Sequence, residues 1–449
     1  MIRGIVSFSE LILMLVTMAP AQEKLSLTIE QARQIGLENS KALHVSHFRL
    51  EAADARADEM RALGLPSAKF NGAYTRLSDV PPQAVVLPAN SFGPGFPPSN
   101  VAMTLSPTIL NNYTLRTTIQ QPLFTGGKIS GAIDAAQENA AASQQDLRKD
   151  KADVAYNITA AYWNLFRASE FKKFVNENVH QMETHATDAE NLLKQGLLTS
   201  NDVMKVQVQL SDALVRRIDA DNAVQLAMYL LNNTLGLPLQ TEIALASTIQ
   251  LNDRKWESVD RLVVQAFEQR PEVVGMHARV RAGEAGLTAA HGAWWPQVFL
   301  VGNYNYLNPN SRYFPISDQF KGTWDVSVSV SFDIWNWLQT GYQSTQAGAQ
   351  LAQAREGLSM MKDGITMEVT QSYLAIHKAK EREAVSERGV AQAEENYRIM
   401  KGKYAQGLVA NSELLDAELA LLQARLNQTQ SLVDYELAIA QLSRAIGEN

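Results

Sequence analysis

Few residues in this chain have the type and spacing to do chemistry. Two carboxylates, Glu413 and Asp416, stand three apart, which puts them on one face of a helix. Asp202 lies six residues after Gly196, as Glu413 does after Gly407. Acids so placed can attract cations, or they can simply cap a first helical turn and complement its dipole. The seven histidines (44, 47, 180, 185, 277, 291 and 377) are dispersed. No carboxylate or thiolate completes a four-ligand set around them, so solvated helix positions are expected. Cysteine is absent, which excludes disulfides, thiolate metal sites, a cysteine nucleophile and a lipid anchor on an N-terminal cysteine. The methionines are scattered, with only Met360 and Met361 adjacent, which offers nothing for copper handling. Asn157-Ile158-Thr159 has a glycosylation pattern but falls inside a predicted helix. No phosphate loop or nucleophile–base pair is present. The expectation is a chain without catalytic residues, cofactor or metal. A formal charge of −7 and a pI near 5.6 exclude a general nucleic-acid binder.

The elements that would position these residues come in two copies. Residues 1–21 read as a signal peptide, with Arg3, an apolar core from Leu11 to Val16, and Ala19-Pro20-Ala21 as the cleavage site. Export without cysteines fits a bacterial envelope better than a disulfide-stabilised secreted domain. Beyond it, Val154-x3-Ile158-Thr159-x2-Tyr162-x2-Leu165-x2-Ala168 realigns on Ile365-x3-Val369-Thr370-x2-Tyr373-x2-Ile376-x2-Ala379 at a shift of 211 residues. The same shift carries Gln195-Gly196-Leu197 onto Gln406-Gly407-Leu408, and Leu235-Gly236 onto Ile446-Gly447. Upstream, Pro66, Gly72, Tyr74 and Leu77 match Pro296, Gly302, Tyr304 and Leu307 at a shift of 230. The extra residues of the first copy are expected as loop in 81–107, which holds seven of the fifteen prolines. The first repeat is therefore read as 22–236, a joining segment as 237–258 and the second repeat as 259–449.

Each copy reads helix, strand, loop, strand, long helix, tight turn, helix. Helices are predicted at about 27–64, 127–194 and 200–235, then at 259–293, 340–404 and 411–446. Val154, Ile158, Ala161, Leu165, Ala168, Phe171 and Val175 recur at the 3 and 4 spacing of a coiled-coil-like seam. Strands are predicted at about 66–78, 112–124, 296–307 and 323–335. Trp324, Val326, Val328, Val330, Phe332 and Ile334 alternate with Asp325, Ser327, Ser329, Ser331 and Asp333, the pattern of a transmembrane β-barrel strand. An antiparallel sheet with one wet face would alternate similarly. Five of the seven tryptophans (Trp294, Trp295, Trp324, Trp335 and Trp337) cluster at strand ends, as interfacial girdles do. Four strands cannot close a barrel in lipid, where an open edge is unsatisfied. Two chains would pool eight strands and three would pool twelve; a polar inner face favours the larger, with a lumen.

The duplicated helix–turn–helix with Gln195-Gly196-Leu197 and Gln406-Gly407-Leu408 at its turns resembles the TolC-like outer-membrane efflux proteins. The strand-to-helix junction Gln121-Pro122-Leu123-Phe124-Thr125-Gly126-Gly127 adds to the resemblance. It covers essentially the whole chain after the leader. It implies a mainly α fold with a membrane β-barrel: a homotrimer whose twelve-stranded outer-membrane barrel continues into a long periplasmic α-helical barrel. Its partners would be a periplasmic adaptor, an inner-membrane pump and outer-membrane lipid, in a tripartite efflux or type I secretion system. It further implies that the two turns dock the adaptor, in addition to their plain role as helix stops. The family's turns read Val-Gly-Leu or Val-Gly-Thr, so Gln195 and Gln406 depart from it. Glu413 and Asp416 match a family pair of acids that rings the periplasmic entrance; Asp202 and Tyr404 match a lock at the closed tip. The arginine the family carries two residues after the second glycine is replaced by Val409. A periplasmic coiled-coil rod without a channel is the competing reading, and the alternating strand 324–334 argues against it.

Overall fold

The computed structural model describes residues 25–81, 83–106, 108–249 and 254–448; the leader 1–21 and part of the joining segment lie outside them. In chain order the elements are β1 Leu25–Leu27, α1 Ile29–Asn39, α2 Lys41–Ala62, β2 Ser67–Arg76, β3 Gln83–Leu87, β4 Val101–Ser106, β5 Asn111–Phe124, α3 Lys128–Lys194 and α4 Ser200–Leu235. The second half follows as β6 Ile243–Leu245, α5 Val259–Gln269, α6 Pro271–His291, a 3-10 turn at Gly292–Trp294, β7 Gln297–Asn308, β8 Lys321–Ser331, α7 Gln339–Ala405 and α8 Asn411–Ala445. Helices α3 and α7 each run 67 residues and contribute to both of two compact units.

The first unit comprises 25–45, 149–270 and 365–448. Its core gathers Ile158, Tyr162 and Leu165 of α3 with Leu231 and Leu235 of α4 and Val433 of α8. The short strands β1 and β6 pair in parallel beside it. Buried Tyr162 ties them down: its hydroxyl donates to Leu27 O (2.9 Å) and accepts from Ser247 N (3.0 Å). Thr28 and Gln31 form the capping box that starts α1. Gly236 ends α4 in the left-handed region, φ 71°, where a Cβ would sit 2.8 Å from Asn39 O. Gly447 repeats the device at φ 80° against Gln269 and Arg270. Beside it Arg270, buried, pairs with Glu368 at 2.6 Å; Arg444 reaches Glu368 (3.3 Å) and Asp153 (2.6 Å).

The second unit comprises 46–148 and 271–364. It carries an antiparallel sheet of order β2-β5-β7-β8, so strands from both halves of the chain are adjacent at β5–β7. Helices approach closely where glycine allows it: a Cβ on Gly131 would lie 2.7 Å from Ala285 O and Ala289 N. Ion pairs Arg279–Asp146, Arg281–Glu138 and Arg355–Glu284 cross between its helices. No helix among the described residues is long and apolar enough to cross a membrane.

Four sequence expectations need correction. The helix expected over 27–64 is broken at Ser40, whose hydroxyl accepts from Leu43 N and starts α2 anew. The helix expected over 259–293 breaks at Arg270, because Pro271 drives the residue before it into extended geometry, ψ 126°. The Pro-rich stretch 81–107 is not all loop: β3 and β4 pair within it as a hairpin. The last strand ends at Ser331 rather than 335, and Trp337 and Leu338 turn through φ 54° and 64°.

Candidate functional site

The hairpin tips of the first unit hold most of the residues singled out from sequence. Both turns are closed the same way. Leu197 N donates to Leu192 O (2.9 Å) and Gly196 N to Leu193 O (2.9 Å); Leu408 N donates to Lys403 O (2.9 Å) and Gly407 N to Tyr404 O (2.9 Å). Gly196 and Gly407 take φ 76° and 69°, the left-handed stop that only glycine adopts freely. Leu197 and Leu408 are thereby held out in solvent, each 68% exposed, flanked by exposed Gln195 and Gln406.

The two tips differ beneath that symmetry. Asp202 completes a capping box with Thr199: its carboxylate accepts from Thr199 N (3.2 Å) and the Thr199 hydroxyl (2.6 Å). Those bonds hold the Asp202 carboxyl below the usual range. At the second tip Ala410 is the N-cap and makes no side-chain bond, so Glu413 is an uncapped acid in the first turn. Glu413 and Asp416 are both exposed.

A cleft of about 1080 Å³ lies between the hairpins and is lined by Leu197, Asp202, Tyr404 and Gln406 among others. Asp202 and Tyr404 are thus brought together, whereas Glu413 and Asp416 do not line this cleft. The Tyr404 ring meets His185 edge-on at 5.1 Å, and its hydroxyl is buried without a hydrogen-bond partner among the described residues. His185 is not the solvated residue expected from sequence. It is 5% exposed and its Nε2 donates to Asn411 Oδ1 across the hairpins. Its site on α3 faces α8, a contact no local pattern announces. Glu418, Tyr397 and Asn411 were likewise missed. The signal for Asn411 and Glu418 is their helical spacing on the α8 face where Leu414, Leu415 and Leu422 turn inward; Tyr397, on α7, has no such signal.

The sheet of the second unit has two unlike faces. In one row Phe70, Thr117, Tyr304 and Trp324 are cross-strand neighbours; in the next stand Ala68, Ile119, Gly302 and Val326. Trp324, Val326, Val328 and Val330 are 61–71% exposed along β8. At one end Tyr74, Tyr113, Phe320 and Tyr306 form a chain of rings 5.0–5.5 Å apart. Near the other end Trp294, Trp295, Trp335 and Trp337 are all exposed, with Trp335 and Trp337 in edge contact at 5.7 Å. The opposite face is polar and hydrogen-bonded. Arg116 Nε donates to Asn305 Oδ1 (2.7 Å) and the Thr118 hydroxyl to Asn303 Oδ1 (2.8 Å). Asn303 and Asn305 donate in turn to Asp325, at 2.8 and 3.3 Å. Strands β2 and β8 are the sheet's edges, each with one side unpaired in the chain. An exposed apolar face backed by a satisfied polar face is the inverse of a soluble sheet.

Comparison with known proteins accords with this geometry. The family model described as outer membrane efflux protein matches residues 32–237 and 262–448. The toluene efflux pump outer membrane protein TtgC of Pseudomonas putida is 22% identical over 404 residues, covering 88% of this chain and 78% of its own. The outer membrane protein TolC of Vibrio cholerae is 20% identical over 317 residues, covering 70% and 72%. Among solved structures, VceC from Vibrio cholerae superposes with TM-score 0.77 at 17% identity, covering 93% of this chain and 96% of that one. The CmeC channel of Campylobacter jejuni gives 0.78 at 15% identity, covering 94% and 85%. Because the family match takes in both copies of the repeat, the chain belongs to the outer membrane efflux protein family.

Proposed function

We propose that three copies of this chain pool their sheets into a twelve-stranded barrel in the outer membrane, forming the passive exit duct of a tripartite efflux or type I secretion system. The observation that carries the reading is the sheet: an exposed apolar face, a hydrogen-bonded polar face, and two unpaired edges. In lipid an edge cannot stay open, so the edges must pair between copies. Twelve strands leave a lumen where eight would be filled by side chains. Strands of 10, 14, 12 and 11 residues suffice to cross a bilayer at a tilt. The apolar face then meets lipid, with the exposed tryptophans at its borders, and the polar face lines the lumen.

In this reading the first unit lies in the periplasm, the leader 1–21 is removed, and the repeats 22–236 and 259–449 meet through the segment 237–258. No catalysis is assigned to the chain, and no lipid anchor. Gln195-Gly196-Leu197 and Gln406-Gly407-Leu408 dock the adaptor, whose inner-membrane pump supplies the substrate. Asp202 and Tyr404 hold the tip from within its cleft. Glu413 and Asp416, exposed and uncapped, are free to ring the entrance as six carboxylates and favour cations.

Extraction from membranes and single-channel recording test this reading together. Detergent-dependent trimers that conduct in planar bilayers are expected; a trimer soluble without detergent would refute the duct. Glu413→Gln with Asp416→Asn should lower cation selectivity, and unchanged selectivity would remove the entrance role from this pair.

A further inference from the structure

Helix α8 meets the first hairpin along a single seam. Asn411, Leu415, Glu418, Leu422 and Arg425 recur on it at helical spacing, opposite α3. At one end Asn411 Oδ1 accepts from His185, while its amide nitrogen is buried with no partner among the described residues; at the other end Arg425 bonds Glu177 (3.0 Å) and Glu394 (2.9 Å). Leu415 packs into two apolar clusters of the α3–α4 hairpin, those of Val175–Val179–Met182 and of Ala186–Val203–Val206. Glu418 lies between these contacts and is only 5% exposed.

Burial with a single donor leaves a carboxylate here poorly solvated. One interaction is with the Tyr397 hydroxyl of α7, and Oε2 is buried with no hydrogen-bond partner among the described residues. A carboxylate offers about four acceptor sites, whereas the protonated group asks for less. The charges facing it do not compensate. From α7, Lys401 acts only at a distance. From α4, Asp212 and Arg216 border the small void at Glu418 with opposite signs, and from α3 come uncharged Asn178 and Met182. His185 and Asp188 of α3 lie further along the adjoining cleft. Burial pushes the Glu418 carboxyl up to about 7.

We propose that Glu418 is a proton-operated latch on the seam between the two hairpins: protonated, it lets them stay packed, and ionised, it favours their separation at the tip. The sign follows from linkage. A carboxyl whose pKa is higher in the packed state than in water, where it is 4.5, releases its proton on separation. The separated-to-packed ratio then climbs by up to tenfold per pH unit between about 4.5 and 7, and levels off above. His185 acts with the opposite sign, because burial lowers its pKa and acid would drive it out of the seam.

Paired spin labels across the seam test the latch. The chain has no cysteine, so Thr187→Cys on α3 and Ser412→Cys on α8 would report alone. In full-length protein reconstituted in lipid, the longer-distance population should grow from pH 5 to pH 7 and then plateau. Glu418→Gln, isosteric and neutral, should abolish the rise between pH 5 and pH 7. His185→Gln should keep the rise. Distances independent of pH in the parent, or a rise retained in Glu418→Gln, would overturn the proposal. Its bearing on export rests on the duct reading, so bilayer conductance is recorded in parallel. Absence of conductance at any pH refutes the duct without touching the latch; unchanged distances refute the latch whatever the conductance.

Discussion

An arginine scan along β8 separates a lipid-facing sheet from one exposed to water, because the two predict different signs. Val326, Val328 and Val330 are 64%, 61% and 64% exposed, and Ser327 and Ser329 alternate with them onto the other face. In water, replacing an exposed valine by arginine changes stability by about 0.5 kcal/mol or less in either direction. Facing lipid, the same change costs about 2–4 kcal/mol at the bilayer midplane and roughly 0–1 near the interface. Val326 stands five residues from either end of the 11-residue strand and takes the midplane value. A cost of 2–4 kcal/mol is about a 30- to 700-fold fall in the folded ratio, at tenfold per 1.4 kcal/mol. If three copies share one barrel, about 6–12 kcal/mol is lost per assembly, enough to abolish it. Val326→Arg and Val328→Arg should therefore fail to accumulate as heat-resistant oligomers in outer-membrane preparations. Val330→Arg should be milder, and Ser327→Arg and Ser329→Arg should assemble. Urea midpoints of the reconstituted proteins give the same ranking as energies. Serine and valine variants that behave alike would refute the lipid-facing assignment.

Three further outcomes follow from the packing. Arg270→Met removes the buried partner of Glu368, leaving it to Arg444 alone; a loss of about 3 kcal/mol in denaturant unfolding is expected. Gly131→Ala would drive a methyl into the backbone at Ala285 and Ala289, lowering stability by about 1–3 kcal/mol, readable as a fall in melting temperature. The Thr199–Asp202 box gives an acid-labile helix start. Its Asp202 pKa is lowered by folding, so its contribution is complete above 3.8 and disappears as pH falls through the folded value. Amide protection in the first turn of α4, relative to the intrinsic exchange rate at each pH, should fall in acid, and Thr199→Ala should remove that pH dependence at a cost of about 1 kcal/mol.

The fold class and the family were legible because their signals are local. Alternation of Trp324, Val326, Val328 and Val330 is a period-two pattern within one strand, and the paired Gly196 and Gly407 turns mark helix stops wherever the chain packs. Pro271 is also in plain sight, yet the break at Arg270 goes unannounced when 259–293 is placed as the second copy's counterpart of the helix at 27–64. Ser40 carries even less local signal: a serine breaks a helix there only because its hydroxyl is recruited to cap the next one. The β3–β4 hairpin was hidden by prolines, which suggest loop but are tolerated at edge strands and turns.

By itself the sequence determined the duplicated architecture, the apolar–polar alternation of β8 and the two glycine-closed tips, because periodicity and backbone conformation are properties of neighbouring residues. Only the tertiary structure decided which polar residues are buried. His185 reads as a solvated helix position, and Glu177, Asn411, Glu418 and Arg425 carry no expectation of their own. They become a seam because α3 and α8 lie side by side, residues more than 200 apart in sequence. Whether Glu418 is a surface charge or a buried acid with a pKa near 7 depends on what covers it and on the donors within reach, and the helix that carries it specifies neither.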